Sequence, residues 1–180
     1  RVDLIVNGPV SFTINDVKRR WSRDASSTDY STSPFGAATY TASGFTDGDY
    51  TWNVRAWDRA GNFSTYDNGE AWKFTIDSTP PVAGNKVSPL DMTITNNNLV
   101  KFTWTQASDN VSAAAGLKYY LYIDTDPFAG PLSTLTYTMT TPLAEGDHLW
   151  NIRAYDEAGN YTDYDGAWTV KVDTVPPIAG

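Results

Sequence analysis

A thirteen-residue phrase that occurs twice constrains this chain more than any other feature. Tyr50-Thr-Trp-Asn-Val-Arg-Ala-Trp-Asp-Arg-Ala-Gly-Asn62 returns as His148-Leu-Trp-Asn-Ile-Arg-Ala-Tyr-Asp-Glu-Ala-Gly-Asn160. Its flanks return as well. Phe45-Thr-Asp-Gly48 matches Leu143-Ala-Glu-Gly146, and Ala71-Trp72-Lys-Phe-Thr-Ile-Asp77 matches Ala167-Trp168-Thr-Val-Lys-Val-Asp173. Each copy closes on twin prolines, Pro80-Pro81-Val-Ala-Gly84 and Pro176-Pro177-Ile-Ala-Gly180. A period of 96–98 residues in a chain of 180 predicts two tandem modules, 1–84 and 85–180. Proline offers no N–H to a sheet ladder and fixes its own φ, so each Pro-Pro ends a sheet and stiffens the junction beyond it.

Within the repeat, apolar side chains recur every second residue, the period of a strand with one buried face. Tyr50, Trp52, Val54 and Ala56 share one face; Thr51, Asn53, Arg55 and Trp57 share the other. In the second copy the inward set is His148, Trp150, Ile152 and Ala154. The closing strands place Trp72, Phe74 and Ile76, then Trp168, Val170 and Val172, on the same side, and Val100, Phe102 and Trp104 supply an opposing sheet. Short alternating strands parted by turn residues predict an all-β fold of two β-sandwiches.

The N-terminal halves align less well. Val10-Ser-Phe12-Thr-Ile14 matches Val100-Lys-Phe102-Thr-Trp104, and Val17–Asp24 matches Leu117–Asp124. On that register the first copy is complete, with a short opening strand near Val2–Val6. On the other register the first copy begins at its third strand and needs a strand from a neighbour, which would make strand donation its mode of assembly.

Composition narrows the function classes. Lys+Arg 13 against Asp+Glu 21 gives a formal charge of -8, so the chain lacks the basic footprint that nucleic acid or an anionic membrane requires. No apolar run is long enough to span a bilayer. With no cysteine, disulfides, thiolate metal sites and cysteine nucleophiles are excluded. The chain opens at Arg1 without Met or a signal peptide, as expected of a mature or excised piece of something longer.

The phrase Gly-Asp-Tyr-Thr-Trp-Asn-Val-Arg-Ala-x-Asp-x-Ala-Gly-Asn with Trp-x-Phe-Thr-Ile-Asp-x-x-Pro-Pro resembles the bacterial and archaeal Ig-like, or fibronectin type III-like, tandem repeats of secreted and cell-surface proteins. The resemblance is strongest over 36–84 and 134–180. It places Trp104 on the family's second strand, and Phe45/Leu143 with Tyr50/His148 at its tyrosine corner. It implies an extracellular setting and a sandwich fold, and it is nearly silent on activity.

Candidate sites are few. His148, the single histidine, follows Glu145 and Asp147 and could act as a general base. It stands where the first copy has Tyr50, so a ring bonded to the corner backbone explains both residues without catalysis. No nucleophile elbow, phosphate loop or zinc-protease motif is present, and the chain reads as no enzyme. Asp58-Arg-Ala-Gly-Asn62 and Asp156-Glu-Ala-Gly-Asn160 read as turns in which aspartate accepts backbone N–H bonds. The sharper reading is Ca²⁺ at the junction, with Asp77, Asp67, Asp173 and Asp165 as ligands, although no calcium-loop spacing occurs.

The outward aromatics are the binding candidates. Tyr120 and Tyr122 should lie beside Arg153 and Tyr155; Trp57, Arg55 and Arg20 form the counterpart. Such a face either stacks on sugar rings or forms a cross-strand ladder that stabilises the sheet with no ligand. The apolar loop 105–116 would cap a sandwich or touch the neighbouring module. Asn62, Asn110 and Asn160 open N-glycosylation sequons. The expected function is that of an extracellular spacer, part of a stalk or fibre, whose partners are neighbouring repeats or other copies of the chain. The alternative is an adhesin or carbohydrate-binding accessory module whose partners are glycans or a host surface.

Overall fold

The structure is a computed structural model that describes residues 2–7, 12–14, 44–58, 60–66 and 70–179, with backbone alone at 2–7, 12–14 and Trp57. All regular structure among them is β, and the chain divides into two compact units, Arg1–Asp77 and Ser78–Gly180.

The second unit is a two-layer sandwich. One layer runs in the order β10 (Asp126–Leu132), β9 (Lys118–Ile123), β12 (Gly146–Tyr155), β14 (Trp168–Val172), β7 (Thr93–Thr95). β13 (Tyr161–Asp163) continues along the edge of β12 beyond the stretch that β14 occupies. The other layer is β11 (Thr136–Thr138), β8 (Lys101–Trp104), β6 (Lys86–Ser88). The two-residue period sends Trp150, Ile152 and Ala154 of β12, Tyr119, Leu121 and Ile123 of β9, and Val170 and Val172 of β14 into the core. Phe102 and Trp104 of β8 meet them from the opposite sheet, Phe102 with its ring 5.1 Å from that of Trp150. Full burial of a large aromatic contributes roughly 1.5–3 kcal/mol, so this interior holds together without disulfides.

In the first unit the described strands form one sheet: β2 (Phe12–Ile14), β1 (Val2–Asn7), β3 (Gly48–Trp57), β4 (Phe63–Thr65), with β5 (Trp72–Ile76) also on β3. Here the structure corrects the expected register. β1 pairs with β3 through Val6↔Trp52, Leu4↔Val54 and Val2↔Ala56; β9 pairs with β12 through Ile123↔Trp150, Leu121↔Ile152 and Tyr119↔Ala154. Val2–Asn7 is therefore the counterpart of β9, and Phe12–Ile14, which pairs with β1, is the counterpart of β10. Phe12–Ile14 does not correspond to Lys101–Trp104, which lies in the opposite sheet of its own unit. Two alternating runs of three or four residues look alike on whichever sheet they sit, which is why the shorter match misled. The segment 17–24 lies outside the described residues.

The division at Asp77/Ser78 falls before the expected boundary at Gly84 because 78–84 pack on the second unit's own loops. Val82 and Ser108 exchange backbone hydrogen bonds of 2.7 and 3.0 Å. Gly84 sits so close to Thr105 that a Cβ there would lie 2.6 Å from its carbonyl oxygen.

Candidate functional site

The outer face of the β9–β12–β13 layer carries the predicted aromatic group, and the register fixes its neighbours. Arg153 stands opposite Tyr120 and Asp163, Asn151 opposite Tyr122, and Tyr155 opposite Tyr161. Tyr120 and Tyr155 meet edge to face at 5.2 Å, and Tyr155 lies 5.3 Å from Tyr161. The Arg153 guanidinium lies 5.1 Å from the centre of the Tyr122 ring and 4.2 Å from that of Tyr161. The same guanidinium grips Asp163 with two parallel bonds, Nε to Oδ1 at 2.7 Å and Nη2 to Oδ2 at 2.9 Å. That bidentate pair raises its already high proton affinity. Tyr120 rests on Gly130, where an added Cβ would lie 2.4 Å from the ring. Tyr120, Tyr122, Arg153 and Tyr155 are thus brought together, and Tyr161 and Asp163 join them. Both newcomers follow the turn, where no alternation marks them as outward.

Beside this ladder lies a shallow depression of about 220 Å³ lined by Tyr122, Thr125, Leu149, Arg153 and Asp163. In the first unit Arg55 lies 4.3 Å from the centre of the Phe63 ring, the counterpart of Arg153 on Tyr161. The side chains of Trp57 and Arg20 lie outside the described residues.

The two Asp-x-Ala-Gly-Asn turns are built alike. Asp58 and Asp156 each accept the backbone N–H of the asparagine four residues on, at 2.9 and 2.8 Å, and its side-chain amide, at 2.8 Å in both. Gly61 and Gly159, at φ of 91° and 94°, supply the positive dihedral that closes each loop. The Asn62 amide and backbone N–H hold the Asp58 carboxyl below its ordinary pKa. The Nδ2 groups of Asn62 and Asn160 at the two sequons thus donate to these carboxylates. Asn110 is exposed.

His148 is a corner residue. Its Nε2 lies 3.1 Å from the carbonyl of Ala144, as the Tyr50 hydroxyl donates to the carbonyl of Thr46 at 2.9 Å. Nδ1 lies 2.7 Å from Asp124 Oδ2. Both ring nitrogens are thus engaged at the corner.

The predicted calcium ligands do not gather in the second unit. Asp173 accepts the N–H of Val175, and Asp165 faces the ammonium of Lys86. Neither joins a group of three carboxylates close enough to share a cation among the described residues. Asp77 is half-buried at the end of β5, and Asp67 lies outside the described residues. A carboxylate pair not anticipated from the sequence is Asp109 and Asp156, with oxygens within 4.8 Å. Asp109 Oδ1 accepts the N–H groups of Val111 and Ser112, which shapes the 105–116 loop as a local turn.

Lys86 was not anticipated either. It is buried, and its ammonium donates to Asn151 Oδ1 at 3.1 Å and to the carbonyls of Asp165 and Gly166, beside the rings of Trp168 and Trp150. Burial lowers its pKa, while Asp165 and Asp91 oppose the shift. A lysine at the start of a short strand gives no sign in sequence that it will turn inward.

No family model matches the chain. It is similar to Chitinase A1 of Niallia circulans, 30% identical over 139 residues that cover 74% of this chain and 19% of that protein. It is also similar to Exoglucanase B of Cellulomonas fimi, 31% identical over 141 residues that cover 77% of this chain and 13% of that protein. The chain spans less than a fifth of the length of these curated relatives. Among solved structures it is similar to the fibronectin(III)-like modules of Clostridium thermocellum CbhA, at 15% identity, covering 94% of this chain and 77% of that one with a TM-score of 0.44. No helix among the described residues is long and apolar enough to cross a membrane.

Proposed function

We propose that the chain is a non-catalytic, fibronectin type III-like spacer from an extracellular multidomain protein, and that its outer aromatic face is a structural ladder. The observation that carries this reading is the use each ring already has. Arg153 occupies the space against Tyr122 and Tyr161, Gly130 lies against Tyr120, and Tyr155 bridges Tyr120 and Tyr161. A sugar platform needs ring faces open to solvent, whereas cross-strand aromatic pairs stabilise a sheet by about 0.2–1 kcal/mol each with no ligand. Acidic groups and the lone histidine are likewise engaged in corners and turns. Similarity to short stretches of a chitinase and an exoglucanase suits a module that sets the distance between working domains of a secreted hydrolase. Its partners would be the domains on either side in the same polypeptide, or further copies in a stalk.

The second reading, a carbohydrate-binding accessory module or adhesin, draws on the depression beside Tyr122 and Arg153. Retention of the purified chain on chitin, cellulose and a panel of host glycans separates the two. The spacer reading predicts no retention, and Tyr155→Ala and Arg153→Ala then change stability alone. Retention on any of these that both substitutions abolish would hand the face to a ligand.

A further inference from the structure

The chain enters and leaves the second unit at opposite ends of β12. At the entry, Val82 and Ser108 exchange backbone hydrogen bonds, and Asn85 accepts the N–H of Thr105 at 2.8 Å while donating its own to Thr105 Oγ1 at 2.7 Å. The same 105–116 loop holds the far end of β12, where the Glu157 N–H donates to Ser112 Oγ at 3.1 Å. The exit lies at the near end. Gly146, the first residue of β12, stands opposite Val172, and the N–H and hydroxyl of Thr174 donate to the Glu145 carboxylate. The ten residues of β12, at about 3.3 Å each, separate the two ends.

Between those ends, an early strand and the last one lie side by side. β7 and β14 run parallel in the register Thr93↔Val170, Ile94↔Lys171 and Thr95↔Val172, whereas the other strand pairs of the unit are antiparallel. Bonds beyond the strands lengthen the contact. The Met92 N–H donates to the Thr169 carbonyl at 2.8 Å, the Thr169 N–H to Asp91 Oδ1 at 2.7 Å, and the Asp173 N–H to the Thr95 carbonyl at 2.9 Å. Ahead of β7, the buried Lys86 side chain crosses from β6 to the other layer, where Asn151 Oδ1 and the carbonyls of Asp165 and Gly166 hold its ammonium. A tension along the chain draws β7 back toward the entry and β14 out through the exit. Parallel strands pulled that way slide past one another, and the bonds that cross between them are loaded together. Strands parted at one end instead lose their bonds one at a time.

We propose that the second unit is a load-bearing module, with the parallel β7–β14 pair as the clamp that resists tension between its entry and its exit. Lys86 ties the lead-in strand to both layers, so that a pull at the entry meets the folded sandwich before it reaches β7. Resistance to force is a matter of the unfolding rate along the pulled direction and not of equilibrium stability, so it depends on where the chain is held. The proposal deepens the spacer reading and rests on it only for the source of the tension, a neighbouring domain or copy that pulls on the chain.

The absence of cysteine lets a pair of introduced thiols choose where force acts on the 180-residue chain. Ser78→Cys with Val175→Cys places handles at the entry and the exit, and slides β7 along β14. Asn96→Cys with Val175→Cys places both handles at the exit end, and peels the same two strands apart. In optical tweezers at one loading rate, the first pair should need at least about twice the unfolding force of the second. Two further substitutions separate the clamp from overall stability. Ile94→Pro, which breaks β7, should bring the first force down to about that of the second. Met139→Ala hollows the core away from β7 and should keep at least about half of the first force, although it lowers the melting temperature. Equal forces for the two handle pairs would overturn the proposal, and that comparison stands even if Ile94→Pro fails to fold. Equal loss of force in Ile94→Pro and Met139→Ala would overturn it too. Failure here leaves the spacer reading intact, because retention on glycans tests that separately.

Discussion

His148 makes two hydrogen bonds that between them favour its charged form. Asp124 Oδ2 and the Ala144 carbonyl are both acceptors, so the protonated ring, with an N–H on each nitrogen, satisfies both bonds at once. Burial opposes that charge, but the bonds to Asp124 and Ala144 and the charges of Asp124 and Asp147 outweigh it, and the pKa is raised above 6.5. A raised value contributes stability that is complete below the unfolded-state value and is lost as pH rises through the folded one. Thermal unfolding from pH 6 to pH 9 should therefore show a falling Tm. His148→Tyr, which installs the first repeat's residue, should keep the corner bond and flatten the slope. An unchanged slope in that variant would place the titration elsewhere. At this scale the ring's place at the corner was legible, because Tyr50 and His148 share one position in the repeat. Asp124 was not, because it arrives from the β9–β10 turn, 24 residues away. Asp156 shows the same limit in a milder form. Its hydrogen bonds to Asn160 were readable from the spacing, but its burial comes from the 105–116 loop, where Ser112 Oγ accepts the N–H of Glu157. Asp156→Ala should lower unfolding free energy by about 1–3 kcal/mol in urea denaturation, because the half-buried amide and backbone N–H of Asn160 lose their acceptor.

Among the elements, β12 is the one on which both faces are used. Its inner side chains fill the core, and its outer ones form the ladder through Arg153 and Tyr155. The alternation made both faces readable, and the ladder with β9 sets Tyr120 opposite Arg153 as expected. The salt bridge to Asp163 and the support under Tyr120 were not readable, since they depend on β13 continuing the edge of β12 and on β10 curling past β9. Gly130 has a φ of 151° and no room for a methyl group below the Tyr120 ring. Gly130→Ala should thus cost about 1–3 kcal/mol and weaken the near-ultraviolet circular dichroism of the tyrosines. Arg153→Ala should cost about 1 kcal/mol or less, a partly exposed ion pair and two exposed cation–π contacts being individually small. A larger loss would mean that the ladder is more buried than its geometry indicates.

Across the whole chain, the internal match of β3 with β12 is the firmest link between sequence and fold, since the matched phrases form equivalent strands in the two compact units. The failure lay in the half of the first module where the strands are short and the matching residues few. Val2-Asp-Leu-Ile-Val-Asn7 and Tyr119-Tyr-Leu-Tyr-Ile-Asp124 share a pattern that a longer window would have favoured over Phe12–Ile14. Only the ladder with β3 shows which sheet those residues join, because partner choice is a non-local property that no single strand encodes.

One strand pattern is used twice in this molecule, with Trp150, Ile152 and Ala154 fully buried in the second unit and Trp52, Val54 and Ala56 half-buried in the first. Native-state hydrogen exchange of the whole chain tests that difference at equivalent amides. Trp150, Ile152 and Ala154 in β12 should exchange only through global opening, whereas Trp52, Val54 and Ala56 in β3 should exchange at least about tenfold faster. Equal protection of the two strands would contradict it.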